Sequence, residues 1–335
     1  MPSKSKSNRK FVLPALALTV LFFVSFLLGR YPVSLSEVFS VLGRHLTGRA
    51  EDTMQNSVIW NMRLPRMLLA CLVGCCLSAA GAAYQGVFQN PMAAPDLLGA
   101  TSGAAFGAAL AILLGAAGQW ITGSAFFFSM LAVLLAFLIG QRARGKKTVN
   151  LILAGVMVSS LFSAGTSYLK LVADPNNQLP AITYWLMGSL NNKTFREVGF
   201  AAIPALIGLL PLLLLRWQIN VLTFGDEEAR AMGVHPALVR LIVILSATLI
   251  TAGCVAVSGV IGWIGLVIPH FSRRYIGNDY RLLLPCSMLG GAVFLLLVDD
   301  LSRNLQQTEI PLGILTALTG VPFFIYLMLG EEKFE

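Results

Sequence analysis

The stretch LIVILSATLITAGCVAVSGVIGWIGLVIP, Leu241 to Pro269, runs for 29 residues without a charge. A helix that crosses a membrane needs about 20 apolar residues, so this run is too long for one comfortable helix. Ser258, Gly259, Gly262 and Gly265 fall in its second half. The reading is a helix, a tight glycine turn and a second, shorter helix. Broken backbone at membrane depth is tolerated only where protein or a watery cavity covers it. The run therefore predicts an all-α integral membrane protein with enough helices to bury that turn.

The rest of the chain agrees. Of its 335 residues 56% are hydrophobic and 12% charged, about half the charged fraction of a soluble domain. Such a chain cannot cover itself with polar surface, so its outer surface is lipid. The net charge of +8 sits in short runs between apolar stretches, a membrane pattern and not a nucleic-acid one. Phe11–Gly29 is an uncharged run behind a basic tail, Lys4, Lys6, Arg9 and Lys10. Its length and the missing small-x-small cleavage site favour a retained helix over a secretory signal. Further uncharged runs are Met67–Gln89, Leu97–Gly118, Trp120–Gly140, Leu151–Leu169, Val198–Leu215, Leu282–Val298 and Ile310–Gly330. With Leu241–Pro269 split in two, about ten spans result, and both termini fall on one side. That count places inside the segments 1–10, 141–149, 216–240, 272–281 and 331–335, which hold 15 of the 24 Lys and Arg. The bias predicts cytoplasmic N- and C-termini. Nine spans would export one of the basic clusters at 142–147 or 273–281.

Two short segments read as interfacial. Ser34-Leu35-Ser36-Glu37 is a capping box, with Leu35, Val38, Phe39 and Leu42 on one helical face. Pro180–Leu190 is apolar but too short to span. Gly99, Gly103 and Gly107 recur every four residues on one face, a spacing that favours close helix packing. The five cysteines lie in apolar stretches without a C-x-x-C pair, and His45, His235 and His270 are scattered, so no metal set is expected. No repeat or linker divides residues 1–335, and one transmembrane domain is the simplest account.

What drives it is the next question. Asp96, Asp174, Asp226, Asp279, Asp299, Asp300 and Glu309 map to span ends or loops, which leaves no proton relay of the kind carriers use. Gly140 to Lys147 approaches a Walker A pattern. It ends on Lys where Ser or Thr must hold magnesium, and it closes a membrane helix instead of opening one after a strand. The chain is expected to be no enzyme and to bind no cofactor of its own. Residues 222–236 instead read as a short cytoplasmic helix. Acids Asp226, Glu227 and Glu228 fill its first turn, where the helix dipole favours them. Gly233 can end it left-handed. On the residues alone this is equally an ordinary charged loop helix.

That segment, with Gly225, Glu228-Ala229 and Gly233, resembles the coupling-helix region of the FecCD family of ABC permeases. Five other stretches resemble the family too: Arg63-Leu64-Pro65-Arg66, Gln89 to Gly99, Tyr184 to Ser189, Gly262 to His270 and Glu309 to Gly313. They fall in order over residues 60–330. Met92, Trp263 and Tyr280 depart from the usual family residues. The family imports ferric siderophores, haem and vitamin B12. The resemblance implies a type II importer permease in a bacterial cytoplasmic (inner) membrane. It implies a homodimer over two copies of a separate ATPase that carries the ATP and magnesium, and a periplasmic or lipid-anchored binding protein outside. The translocated metal chelate would be a ferric siderophore first, with haem, cobalamin or an oxyanion open.

Site roles follow from the same resemblance. Gly225, Asp226, Glu227, Glu228, Arg230 and Gly233 would couple to the ATPase. Asn90, Pro91, Met92 and Thr148 would form the inner gate, although Asn90-Pro91 is also an ordinary turn breaker. Arg63, Arg66 and Arg303 lie on the outer side against the charge bias. They would offer planar forks to carboxylates of the binding protein from an exposed rim; without the resemblance they are interfacial anchors. The alternative function is a self-contained secondary carrier or channel.

Overall fold

A computed structural model describes residues 4–49, 53–145 and 147–330, and every regular element among them is helical. The order is α1 (Lys4–Leu27), α2 (Leu35–Leu46), α3 (Met54–Asn56), a π-helical segment (Ser57–Arg63), α4 (Leu64–Val87), α5 (Ala100–Leu113), α6 (Gln119–Arg142), α7 (Lys147–Val172), α8 (Gln178–Leu186), α9 (Phe195–Leu214), α10 (Arg216–Leu222), α11 (Asp226–Ala231), α12 (Pro236–Ser258), α13 (Ile264–Ile276), α14 (Tyr280–Asn304) and α15 (Leu312–Gly330). Among the described residues, seven helices are long and apolar enough to cross a membrane. They are α1, the continuous Met54–Val87 run, α6, α7, α9, α12 and α14. α5 and α15 are shorter apolar helices, and α13 has 13 residues. The basic cluster's Lys146, the Lys147 side chain and the tail 331–335 lie outside the described residues.

α4 is the axis of the molecule. It carries no charge between Arg66 and its end, and it packs against α14, α12, α13 and α9. Small residues permit this. A Cβ at Gly74 would overlap the Gly291 carbonyl of α14, and one at Gly81 would overlap the Gly265 carbonyl of α13. In lipid, association gains little from the hydrophobic effect, so close backbone approach and dispersion carry it. The glycines of α5 act likewise: Gly103 and Gly107 abut the Phe128 and Ser124 carbonyls of α6. Gly99 instead starts α5 with φ +84°.

The long uncharged stretch breaks where its glycines predict. α12 ends at Ser258, Gly259 takes φ +70°, and α13 starts after Trp263. Trp263 itself has φ +70°, a conformation that strains a bulky residue. Its ring lies against Gly320 of α15, where any side chain would collide with it. Two further turns close around the break. Ser189 donates its N–H to the Ser258 carbonyl (2.7 Å), Leu312 to Gly188 (2.9 Å) and Gly313 to Met187 (3.0 Å). The ends of α8 and α12 and the start of α15 thus share backbone hydrogen bonds inside the protein, which satisfies groups that lipid cannot.

The capping box at Ser34 forms, with Glu37 closing back on the Ser34 N–H. Val38 and Val41 are buried, while Leu35 and Phe39 stay exposed. The Phe39 ring meets Phe23 of α1 instead, at 5.6 Å between centroids.

Candidate functional site

Polar chemistry gathers at the two ends of α4. At about 1.5 Å per residue its 24 residues separate those ends by roughly 36 Å.

At the C-terminal end of α4, Gln89 donates through Nε2 to the Leu222 carbonyl (2.6 Å). Asn220 accepts the Tyr280 N–H (3.0 Å), and Arg216 reaches the Arg281 carbonyl (3.3 Å). Lys10 and Tyr275 exchange hydrogen bonds through side chain and carbonyl. Segments expected to share the inner side therefore share one end of the fold. α11 projects here. Asp226, Glu227 and Glu228 fill its first turn and Gly233 follows it with φ +78°. The sequence reading missed Arg240, whose fork grips Asp226 (2.9 Å) and ties α11 to α12. The 14 residues between the two hide that pairing from local spacing rules. Asp226, Arg230 and Arg240 line a cavity of about 500 Å³ together with Gln89, Gln141 and Thr148. Two of the expected coupling residues, Asp226 and Arg230, and one expected gate residue, Thr148, thus open onto a common space. Met92 is exposed. Asn90 accepts the Met92 N–H on its side-chain oxygen (2.8 Å), forming a local turn. Asp279, in the α13–α14 loop, is held below the usual carboxylate range by the Arg281 fork.

The N-terminal end of α4 corrects an expectation. Arg63, Arg66 and Arg303 do come together, but they are 6%, 7% and 8% exposed, so they form no exposed rim. Arg66 Nε lies 2.9 Å and 3.1 Å from the two Asp299 oxygens, and its Nη1 donates to Glu309 (2.8 Å). Arg303 pairs with the other side of Asp299 (3.3 Å) and with Asp300, which also accepts from Ser25. Arg63 donates to the Phe26 and Tyr31 carbonyls. Burying charge requires compensation, and Asp299 and Asp300 supply it. They lie 233 residues or more from Arg66 in sequence, so the exposed rim expected with the docking role was wrong. The π-helical segment feeds Arg63 and Arg66 into this cluster: the Leu64 N–H reaches back five residues to Ile59. Nothing in the composition of Ser57–Arg63 signals it.

A cavity of about 480 Å³ opens beside the network, lined by Arg30, Arg63, Arg66, Lys193, Arg303 and Glu309 among others. Burial pushes the Lys193 ammonium pKa down, with Glu197 opposing. Between the two ends, no described group of three or more His, Cys, Asp or Glu is placed to hold a metal.

The comparisons bear on what such an arrangement serves. Residues 17–330 match the model of the FecCD transport family. The chain is 40% identical over 309 residues to the molybdate import system permease protein MolB of Haemophilus influenzae, covering 92% of both chains. It is 38% identical over 317 residues to a probable iron chelatin transport system permease protein of Helicobacter pylori, covering 94% of this chain and 96% of that one. A solved structure described as an inward-facing conformation of a metal-chelate type ABC transporter superposes with a TM-score of 0.86 at 38% identity. It covers 96% of this chain and 99% of that one. The chain therefore belongs to the FecCD transport family and is a multi-pass membrane permease subunit of an ABC transporter, not an enzyme.

Proposed function

We propose that two copies of this chain form the membrane path of a type II importer for a metal chelate in a bacterial cytoplasmic membrane, with a ferric siderophore as the first candidate. Haem, cobalamin or an oxyanion such as molybdate are the other candidates, since relatives of similar identity are named for different cargoes. In this reading ten helical segments span, counting α5, α13 and α15 with the seven long ones, and both termini are cytoplasmic. α11 with Gly225 and Gly233 seats in a partner ATPase, which carries ATP and magnesium. Asn90, Pro91, Met92 and Thr148 narrow the inner end of the path. Arg63, with Arg66 and Arg303 behind it, meets carboxylates of a binding protein at the outer end.

One observation carries the reading. Two charged sites stand at opposite ends of α4, and the helix between them holds no ionisable acid or base other than three thiols and Tyr84. α4 itself thus offers no ion relay, which supports a reading in which the work enters from an end. α7 supports a second copy or a watery path beside it. Its exposed face carries Ser160, Ser163, Ser167 and Tyr168 among apolar residues.

The test is reconstitution. The permease, its ATPase and its binding protein in liposomes should accumulate chelate with internal ATP and no ion gradient. Uptake driven by a proton or sodium gradient without ATP would instead establish a secondary carrier.

A further inference from the structure

The outer cavity already contains one carboxylate, Glu309, and the geometry marks it as the exchangeable member of the network. Asp299 is fully buried and binds Arg66 with both oxygens and Arg303 from the other side. Asp300 is 6% exposed at its side chain and is held by Arg303 and Ser25. Glu309 is 23% exposed. It accepts a single hydrogen bond from Arg66 Nη1, and its Oε2 is buried without a partner. The same attraction that fixes Asp299 through three contacts holds Glu309 through one, closer to water, where ion pairs are weaker. The cations facing it are under-compensated. Arg30 and Arg63 donate to backbone carbonyls, and among the described residues neither forms an ion pair.

We propose that this cavity takes a carboxylate side chain of the substrate-binding protein in place of Glu309, and that the exchange releases the turn Glu309–Gly313. The proposal rests on the docking reading given above and adds the group that must be displaced. A carboxylate is the fitting class because the cavity already holds one, on a planar fork that accepts carboxylates edge-on. The turn matters because of what it is tied to. The Ile310 carbonyl accepts from Ser302 Oγ (2.6 Å). Leu312 and Gly313 donate to Gly188 and Met187. Gly188 abuts the Val260 carbonyl, and Gly259 abuts that of Trp185. At Gly188, Gly259 and Gly313 the nearest neighbour is backbone, so movement of the turn carries to the break at Gly259–Trp263. Glu309 is thus an internal stand-in that keeps the α12–α13 break locked until a partner's acid replaces it.

The experiment uses the permease–ATPase complex in nanodiscs and its purified binding protein, at low and high salt. Glu309→Gln keeps a hydrogen bond to Arg66 but removes the competing charge. It should tighten docking about threefold, and Glu309→Asp should fall between it and wild type. Hydrogen exchange of the 308–315 peptide should rise on docking in wild type, and should already be raised in Glu309→Gln alone. Unchanged or weaker docking by a folded Glu309→Gln complex overturns the proposal, as does wild-type exchange that ignores the binding protein. Arg63→Ala, which orphans no acid, isolates the underlying reading. If it docks like wild type at low salt, the docking reading itself fails. If it weakens docking while Glu309→Gln changes nothing, docking stands and displacement fails. Inorganic phosphate alone raising the peptide's exchange as fully as the binding protein would assign the cavity to free anions and overturn the proposal.

Discussion

The two ends of α4 use charge in opposite ways. At the N-terminal end, arginines and aspartates are buried together and hold helices: Asp299 is fully buried between Arg66 of α4 and Arg303 of its own helix. At the C-terminal end of α4, α11 lies on the surface with Glu227 and Glu228 exposed and Asp226 partly so. One tie to the bundle is the Asp226–Arg240 pair, with Asp226 43% exposed at the side chain. The contrast separates charges that build the fold from charges positioned to meet something else. Removing one partner of a buried pair leaves the other uncompensated, whereas an exposed pair is screened by water and contributes little.

The largest effect expected from this contrast is at Asp299. Asp299→Ala leaves Arg66 with only Glu309 and Arg303 with only Asp300 in a buried site, at a cost of about 3 kcal/mol. The purified permease should lose most of its thermal stability in detergent. A wild-type melting temperature would show that the outer network does not hold α14 to α4. The same logic changes how docking is probed. Reversing Arg66 places a third acid beside Asp299 and Glu309, so an Arg63→Glu, Arg66→Glu double variant tests folding before it tests docking, and Arg63 alone is the clean probe.

At the inner end, function should fail before stability does. Glu228→Lys or Arg230→Glu alters surface residues, and stability should stay within about 0.5 kcal/mol. Transport should nevertheless drop to background while ATP hydrolysis continues. Full uptake by both variants would reduce α11 to an ordinary loop helix. Cysteines placed at Met92 in each copy of a homodimer should crosslink in one nucleotide state and not in another. Equal crosslinking in every state would remove the gate assignment.

How much of this was legible in the sequence depends on how local the cause is. The break after Ser258 was legible, because 29 uncharged residues fit no single helix and the glycines lie where the chain must turn. The Ser34 cap and the left-handed Gly233 were legible for the same reason: their partners are within a few residues. The outer network was not. Arg66 meets Glu309 across 243 residues, and a charge count can give the side of the membrane without giving burial. Arg303 offered a partial signal, since Asp299 precedes it by four residues, one helical turn. The meeting of Gly188, Gly259 and Gly313 was hidden likewise. Each glycine stood in a quoted stretch, yet what each needs space for is the backbone of another stretch.

The smallest effects separate the two parts of the α11 anchor. Gly233 has φ +78° and nothing within 4 Å of where a Cβ would stand. Gly233→Ala therefore meets no neighbour, and its only penalty is the left-handed backbone, about 1–2 kcal/mol. That penalty falls on the end of a six-residue helix, so it should appear as fraying of residues 226–233 in hydrogen exchange, with the global melting temperature hardly moved. Arg240→Ala removes the other anchor. Asp226 is left in a position open to water, where it needs no partner, so the loss should be about 1 kcal/mol or less and should shrink as salt rises. Since α11 is joined to α12 by a turn of few residues as well as by this pair, loss of either anchor alone should lower the transport rate partially. Loss of both should lower it more than the sum, because the segment that would carry force is then free to tilt at each end. Additive effects of the two substitutions on transport would mean that α11 is held by the turn and the ion pair independently, and that its orientation is not what the partner reads.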